Sequence, residues 1–184
     1  LEVSLRTYSI EWFRKFLNEK RAFDTLVELL EFGNLSSEHF QIILQCLKVI
    51  MIDSMGFDMA INHQKLSDVL VESLKMVSMK NLCSILQLMA MACEKSSKGH
   101  ERILKALKLE QLMDFITLND RTEQQQMVIV ATLNLIKAII SSPIDLNYRV
   151  HLQFEFHKVG LDNRIERLLQ NESSLTTEVM EEIK

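Results

Sequence analysis

Little in this chain could punctuate a sheet. Its 184 residues hold only four glycines and one proline. A fold of many short strands spends those residues at its turns, so their scarcity argues for helices. Apolar runs are short as well. None reaches the roughly 18 residues that a membrane span needs, and the stretch from Leu1 is not expected to be a secretory leader. Cysteine is sparse: Cys46, Cys83 and Cys93 form no CxxC pair, and each sits in an apolar stretch. That pattern reads as buried free thiols in a reducing compartment, and the expected location is the cytoplasm. The net charge is only −4, so no global field draws the chain to nucleic acid or to an anionic membrane.

Catalytic signatures are missing too. The sequence has no Walker loop, GxGxxG, HExxH or GxSxG. Its histidines, His39, His63, His100, His151 and His157, lack a ligand-spaced His or Cys neighbour. No catalytic residue, metal or cofactor is therefore expected. Glu181 and Glu182 are adjacent carboxylates in a polar C-terminal tail and read as a solvated face. The basic run Lys95 to Lys108 reads as a solvated loop and helix start, or as a seat for an acidic partner.

What is present is a repeat. Phe40, Ile43, Leu44, Leu47, Ile50 and Met51 have the spacing of one helix face, with Ser36 or Ser37 as its cap. The same template returns 42 residues later as Leu82, Ile85, Leu86, Met89, Ala92 and Cys93. It returns a further 47 residues on as Ile129, Thr132, Leu133, Ile136, Ile139 and Ile140, with Thr132 the one polar member. Shorter apolar-periodic segments fill the gaps. Such spacing predicts an all-α armadillo or HEAT-like array, a right-handed superhelix of stacked repeats. Positions off the template point elsewhere: Gln45, Lys48 and Ile52; then Gln87, Ala90 and Glu94 beside Met91 and Lys95; then Asn134, Lys137 and Ser141. A stacked array would line these up on one face, suited to a partner helix. A plain solvated face fits the same pattern.

Two further segments carry expectations. In DRTEQQQ, Thr122 and Gln125 have capping-box spacing. In LNYRVHLQFEFHKVGL, Tyr148, Leu152, Phe156 and Val159 make one apolar row, and Val150 and Phe154 a second. A helix buried over a wide arc is expected, ended by Gly160. Arg149 and His151 are expected to hydrogen-bond neighbouring helix ends rather than act as acid and base.

Three stretches, LRTYSIEWFRKFLNEKRAFDTLVELLEF, CLKVIMIDSMGFDMAINH and DLNYRVHLQFEFHKVGLDNRIERL, together resemble the N-terminal regulatory region of diaphanous-related formins, closest to the formin-like subgroup. The likeness runs from about Leu5 to Leu169. It implies armadillo repeats that bind a GTP-loaded Rho-family GTPase and an amphipathic autoinhibitory helix from the C-terminal end of the same protein, in mutual opposition. On this resemblance, the GTPase contacts fall on Arg6, Thr7 and Tyr8 before Trp12, and on Lys48, Ile52 and Asp53. The helix-binding residues fall on Gln87, Met91, Glu94 and Lys95, then Asn134 and Lys137. Ser9 and Tyr8 replace an Asn-Pro frequent in relatives, Ile52 replaces a polar residue, and Lys137 stands where Asn is usual. The implied organisation is 1–20 for the end of a GTPase-binding subdomain and the first repeat, 21–170 for an armadillo inhibitory domain, and 171–184 for a polar tail. That tail starts a dimerisation segment or packs as a helix on the last repeat. A general armadillo adaptor and an all-helical enzyme centred near His151 are the alternatives.

Overall fold

The computed structural model describes residues 9–19, 21–75, 77–117, 122–170 and 176–183. Among them it contains twelve helices and no strand. The chain divides into two compact units, residues 1–85 and 86–184.

Unit 1 holds α1 (Ile10–Glu19), α2 (Ala22–Phe32), α3 (Ser37–Ile52), α4 (Ser54–Asn62) and α5 (Leu66–Ser73). It also holds the first turns of α6 (Met79–Lys95). Helix α3 starts at Ser36, whose hydroxyl accepts the His39 N–H. Five members of its template, Ile43, Leu44, Leu47, Ile50 and Met51, are buried, and Phe40 is half-buried. The chain then turns by 115° into α4. The corner is built by two residues. Asp53 Oδ1 accepts the N–H groups of Met55 (2.9 Å) and Gly56 (3.2 Å), satisfying two donors that a helix start leaves without partners. Gly56 lets α4 cross close under the end of α3: a Cβ there would sit 2.2 Å from the Ile50 carbonyl oxygen. Helix α6 is tied to α3 by Asn81, which donates from Nδ2 to the Ser37 carbonyl at 3.0 Å.

Unit 2 continues α6 and adds α7 (Ser97–Ala106), α8 (Leu109–Phe115), α9 (Glu123–Ser141), α10 (Leu146–Lys158), α11 (Leu161–Leu169) and α12 (Thr177–Ile183). All six template members on α6 are buried, and on α9 all but the half-buried Ile140. Thr132, the polar member, is accommodated because its hydroxyl donates to the Val128 carbonyl one turn back at 2.8 Å. His100 is a core histidine. Its Nε2 donates to the Ile139 carbonyl at 2.8 Å, which fixes the tautomer because a carbonyl can only accept. Gly160 has φ +90° and closes α10 as expected, its N–H donating to the His157 carbonyl. All three cysteines are buried.

Several expectations are corrected. Helix α10 is not buried over a wide arc. Leu152 and Phe156 are buried, while Val150 and Phe154 are each 55% exposed and Tyr148 is exposed. The buried i, i+4 pair anchors the helix, and Tyr148 adds an edge-on contact with the His100 ring, centroids 6.2 Å apart. His151 is exposed and stacks on Tyr148 rather than reaching a helix end. Arg149 buries its Nε without a hydrogen-bond partner. Ala90 is buried, because the adjoining Leu88 and Met89 are covered too and leave α6 a narrow outer face. The capping box at Thr122 is half made. The Thr122 hydroxyl accepts the Gln125 N–H, but the Gln125 amide turns away and donates to the Thr117 carbonyl. Glu182 is not simply solvated: it is half-buried and pairs with Lys137.

Candidate functional site

Within unit 1, α3 presents an outer stripe. Gln41, Gln45, Lys48 and Ile52 recur at four, three and four residues, which keeps them on one side of the helix. Lys48 is exposed, and Ile52 is 66% exposed, a large apolar group held in water at the helix end. Asp53 adjoins it but has a structural task as the α4 cap. Its second carboxylate oxygen is not used in that cap. The helix spacing therefore brings Lys48, Ile52 and Asp53 together at one corner, combining a cation, an apolar tip and a carboxylate. Arg6, Thr7 and Tyr8 lie outside the described residues. Trp12, just after them, is half-buried and stacks on Phe16 with ring centroids 5.1 Å apart.

In unit 2 the outer stripe of α6 carries Gln87, Met91, Glu94 and Lys95. Gln87, Glu94 and Lys95 are exposed and Met91 is half-buried. On α9, Asn134 is half-buried and Lys137 is exposed. Lys137 is not bare: its ammonium lies 3.4 Å from Glu182 of α12. Neither stripe has the convergent polar groups or the enclosed pocket that chemistry on a small substrate requires. Among the described residues no group of three or more His, Cys, Asp or Glu could hold a metal ion. Burial pushes the Cys93 thiol up to about 12 and raises that of Cys83, so both are protonated at neutral pH. What the stripes offer is helix surface with a mixed charged, amide and apolar character.

The chain matches two family profiles that together span residues 1–181. Residues 1–94 match the profile described as Diaphanous GTPase-binding Domain, and residues 82–181 match that described as Diaphanous FH3 Domain. The chain belongs to the diaphanous-related formins. These domains are armadillo-like and helical, in agreement with the repeat read from the spacing. Similar formins include Formin-like protein 3 of Danio rerio, 26% identical over 94% of this chain and 24% of its own length. Formin-like protein 2 of Homo sapiens is 26% identical over 94% of this chain and 23% of its own. Protein diaphanous of Drosophila melanogaster is 26% identical over 90% and 17%. The chain thus spans about a quarter or less of the length of these formins. The zebrafish alignment runs over 250 positions, more than this chain's 184 residues, so that formin carries insertions relative to it.

Sequence reasoning left open that the tail packs as a helix, but it missed Glu182 and Gln126, through which α12 meets α9. The signal available was faint: Val179 and Ile183 stand four apart in an otherwise polar tail.

Proposed function

We propose that this chain is the regulatory binding module of a formin. On this reading it takes a GTP-loaded Rho-family GTPase at the α3–α4 corner, where Lys48 meets an acidic switch segment, Ile52 supplies apolar contact and Asp53 offers its spare oxygen. Arg6, Thr7 and Tyr8 complete that contact from the preceding segment. Gln87, Met91, Glu94 and Lys95, with Asn134 and Lys137, receive an amphipathic helix from the C-terminal end of the same protein. Holding that helix restrains actin assembly, and the GTPase releases it. The two ligands would be coupled by opposing preferences, in the range of about 5- to 150-fold in affinity. The module works in the cytoplasm on the cytoskeleton, is recruited to membranes by its GTPase, and is not itself an enzyme. Residues 1–20, 21–170 and 171–184 keep the organisation implied by the resemblance.

The observation that carries this reading is the match of the GTPase-binding profile to the residues that build the exposed Lys48–Ile52 corner. The test is a pull-down with Rho-family proteins loaded with GTP or GDP. GTP-dependent capture is expected, and equal capture of both forms, or of neither, refutes the reading. For the second face, Met91→Asp and Asn134→Asp should each abolish binding of the parent formin's C-terminal helix. Retained binding removes those residues from the site.

A further inference from the structure

Helix α12 lies on α9, and the manner of its seating suggests what that surface is for. Its residue Val179 is 0% exposed, with Met180 and Ile183 half-buried beside it, while Glu178 and Glu181 face solvent. The helix is held at both ends. The Thr176 N–H donates to Gln126 Oε1 at 2.6 Å, and Glu182 pairs with Lys137 at 3.4 Å. Gln126 and Lys137 stand three turns apart on α9 with Val130 and Leu133 between them, at spacings of four, three and four, so all four share one stripe. The α9 surface thus has an apolar centre with an amide at one end and a cation at the other. It grips a short helix that presents an apolar edge and a carboxylate.

Helix α12 has only seven residues. Helices below about 12–15 residues are marginal in water, so α12 owes its helical form to its seat rather than to its own propensity. Only seven positions separate it in sequence from the end of α11, so α12 competes for its seat as an intramolecular ligand.

We infer that the α9 stripe from Gln126 to Lys137 is a helix-receptive surface, and that α12 is its resident occupant. A helix arriving in trans must displace α12. The chemistry it needs is readable from α12 itself: apolar residues at i, i+1 and i+4, as in Val179, Met180 and Ile183, and a carboxylate at i+3, as in Glu182, to meet Lys137. That this is the seat of the parent protein's inhibitory helix rests on the reading above, because Lys137 belongs to both; the seat itself does not rest on it. Occupancy by α12 makes the face a gated one, available only when the tail lifts.

The test uses the whole chain and a fluorescent peptide of residues 173–184. Val179→Asp places a carboxylate in the buried anchor and should release α12. The peptide is expected to bind the Val179→Asp chain at least about tenfold more tightly than the unmodified chain, where the tethered copy competes. Adding Lys137→Glu to that variant should weaken the peptide again. Equal binding to both chains, or binding to neither up to millimolar peptide, overturns the inference. A milder pair guards against misfolding by Val179→Asp. In Lys137→Glu the α12 amides should exchange faster, and Glu182→Lys in the same chain should restore their protection. If the α12 amides of the unmodified chain exchange as fast as those of the free peptide, the seat does not exist. None of these readouts uses a GTPase or the parent protein's own helix. A failed GTPase pull-down therefore leaves this result standing, and the converse also holds.

Discussion

Asp53 is asked to do two things, and the structure makes them separable. Its Oδ1 caps α4 through the Met55 and Gly56 N–H groups at the 115° corner, and on the proposed function its other oxygen meets the GTPase. Replacing an N-cap acid with alanine costs about 0.5–2 kcal/mol. Asp53 is half-buried and serves two donors, so Asp53→Ala belongs in the upper half of that range, about 1–2 kcal/mol. For a chain of this size that lowers the melting temperature by about 2–8 °C. Asparagine caps about as well as aspartate, so Asp53→Asn should melt within about 0.5 kcal/mol of the unmodified protein. A charged hydrogen bond to the partner is worth about 1.5 kcal/mol, or roughly tenfold in Kd. Both variants should therefore lose GTP-dependent binding by about tenfold, while only the alanine loses stability. Calorimetry and a binding titration on the two variants read these quantities independently. If Asp53→Ala melts like the unmodified chain, the capping argument is wrong. If Asp53→Asn binds the GTPase normally, Asp53 shapes the corner and is not in the interface.

Lys48→Glu should weaken GTPase capture with no change in melting temperature, because Lys48 is exposed; unfolding by this change would mean the stripe on α3 is misassigned. Gly56→Ala should cost about 1–3 kcal/mol, since the added Cβ meets the Ile50 carbonyl at 2.2 Å. Gly160→Ala meets nothing within 4 Å and carries only the strain of its φ of +90°, about 1–2 kcal/mol, readable by chemical denaturation. The Cys93 thiol titrates near 12 in the folded chain and near 9 when unfolded, so between those values the folded state holds one more proton. Stability should be intact below pH 9 and fall above it by up to about 1.4 kcal/mol per pH unit. A Cys93→Ala chain should lose this part of the alkaline slope, and an unchanged slope would refute it.

The inward faces were legible in the sequence because helical burial has a local signature. Template residues such as Leu47, Ile85, Leu86 and Ile129 recur at fixed spacing, and the structure buries them. Caps at Ser36 and Gly160 were legible for the same reason, since a cap is decided by a few neighbouring residues. Helix α10 was not. Its two apolar rows are equally regular, and periodicity cannot say which row finds a neighbour; Leu152 and Phe156 did, while Val150 and Phe154 did not.

By itself, then, the sequence determined an all-helical repeat, the sides of α3, α6 and α9 that turn inward, and the residue types left outside. Tertiary structure alone decided that Asp53 closes a corner, that Ala90 is covered, and that a tail helix lies against Lys137 through Glu182. The division has a physical cause. Periodicity and capping depend on residues within a turn or two of each other, whereas the covering of an outward stripe depends on a segment some 45 residues away, and the Val179–Ile183 spacing that allows a tail helix does not say which stripe it covers.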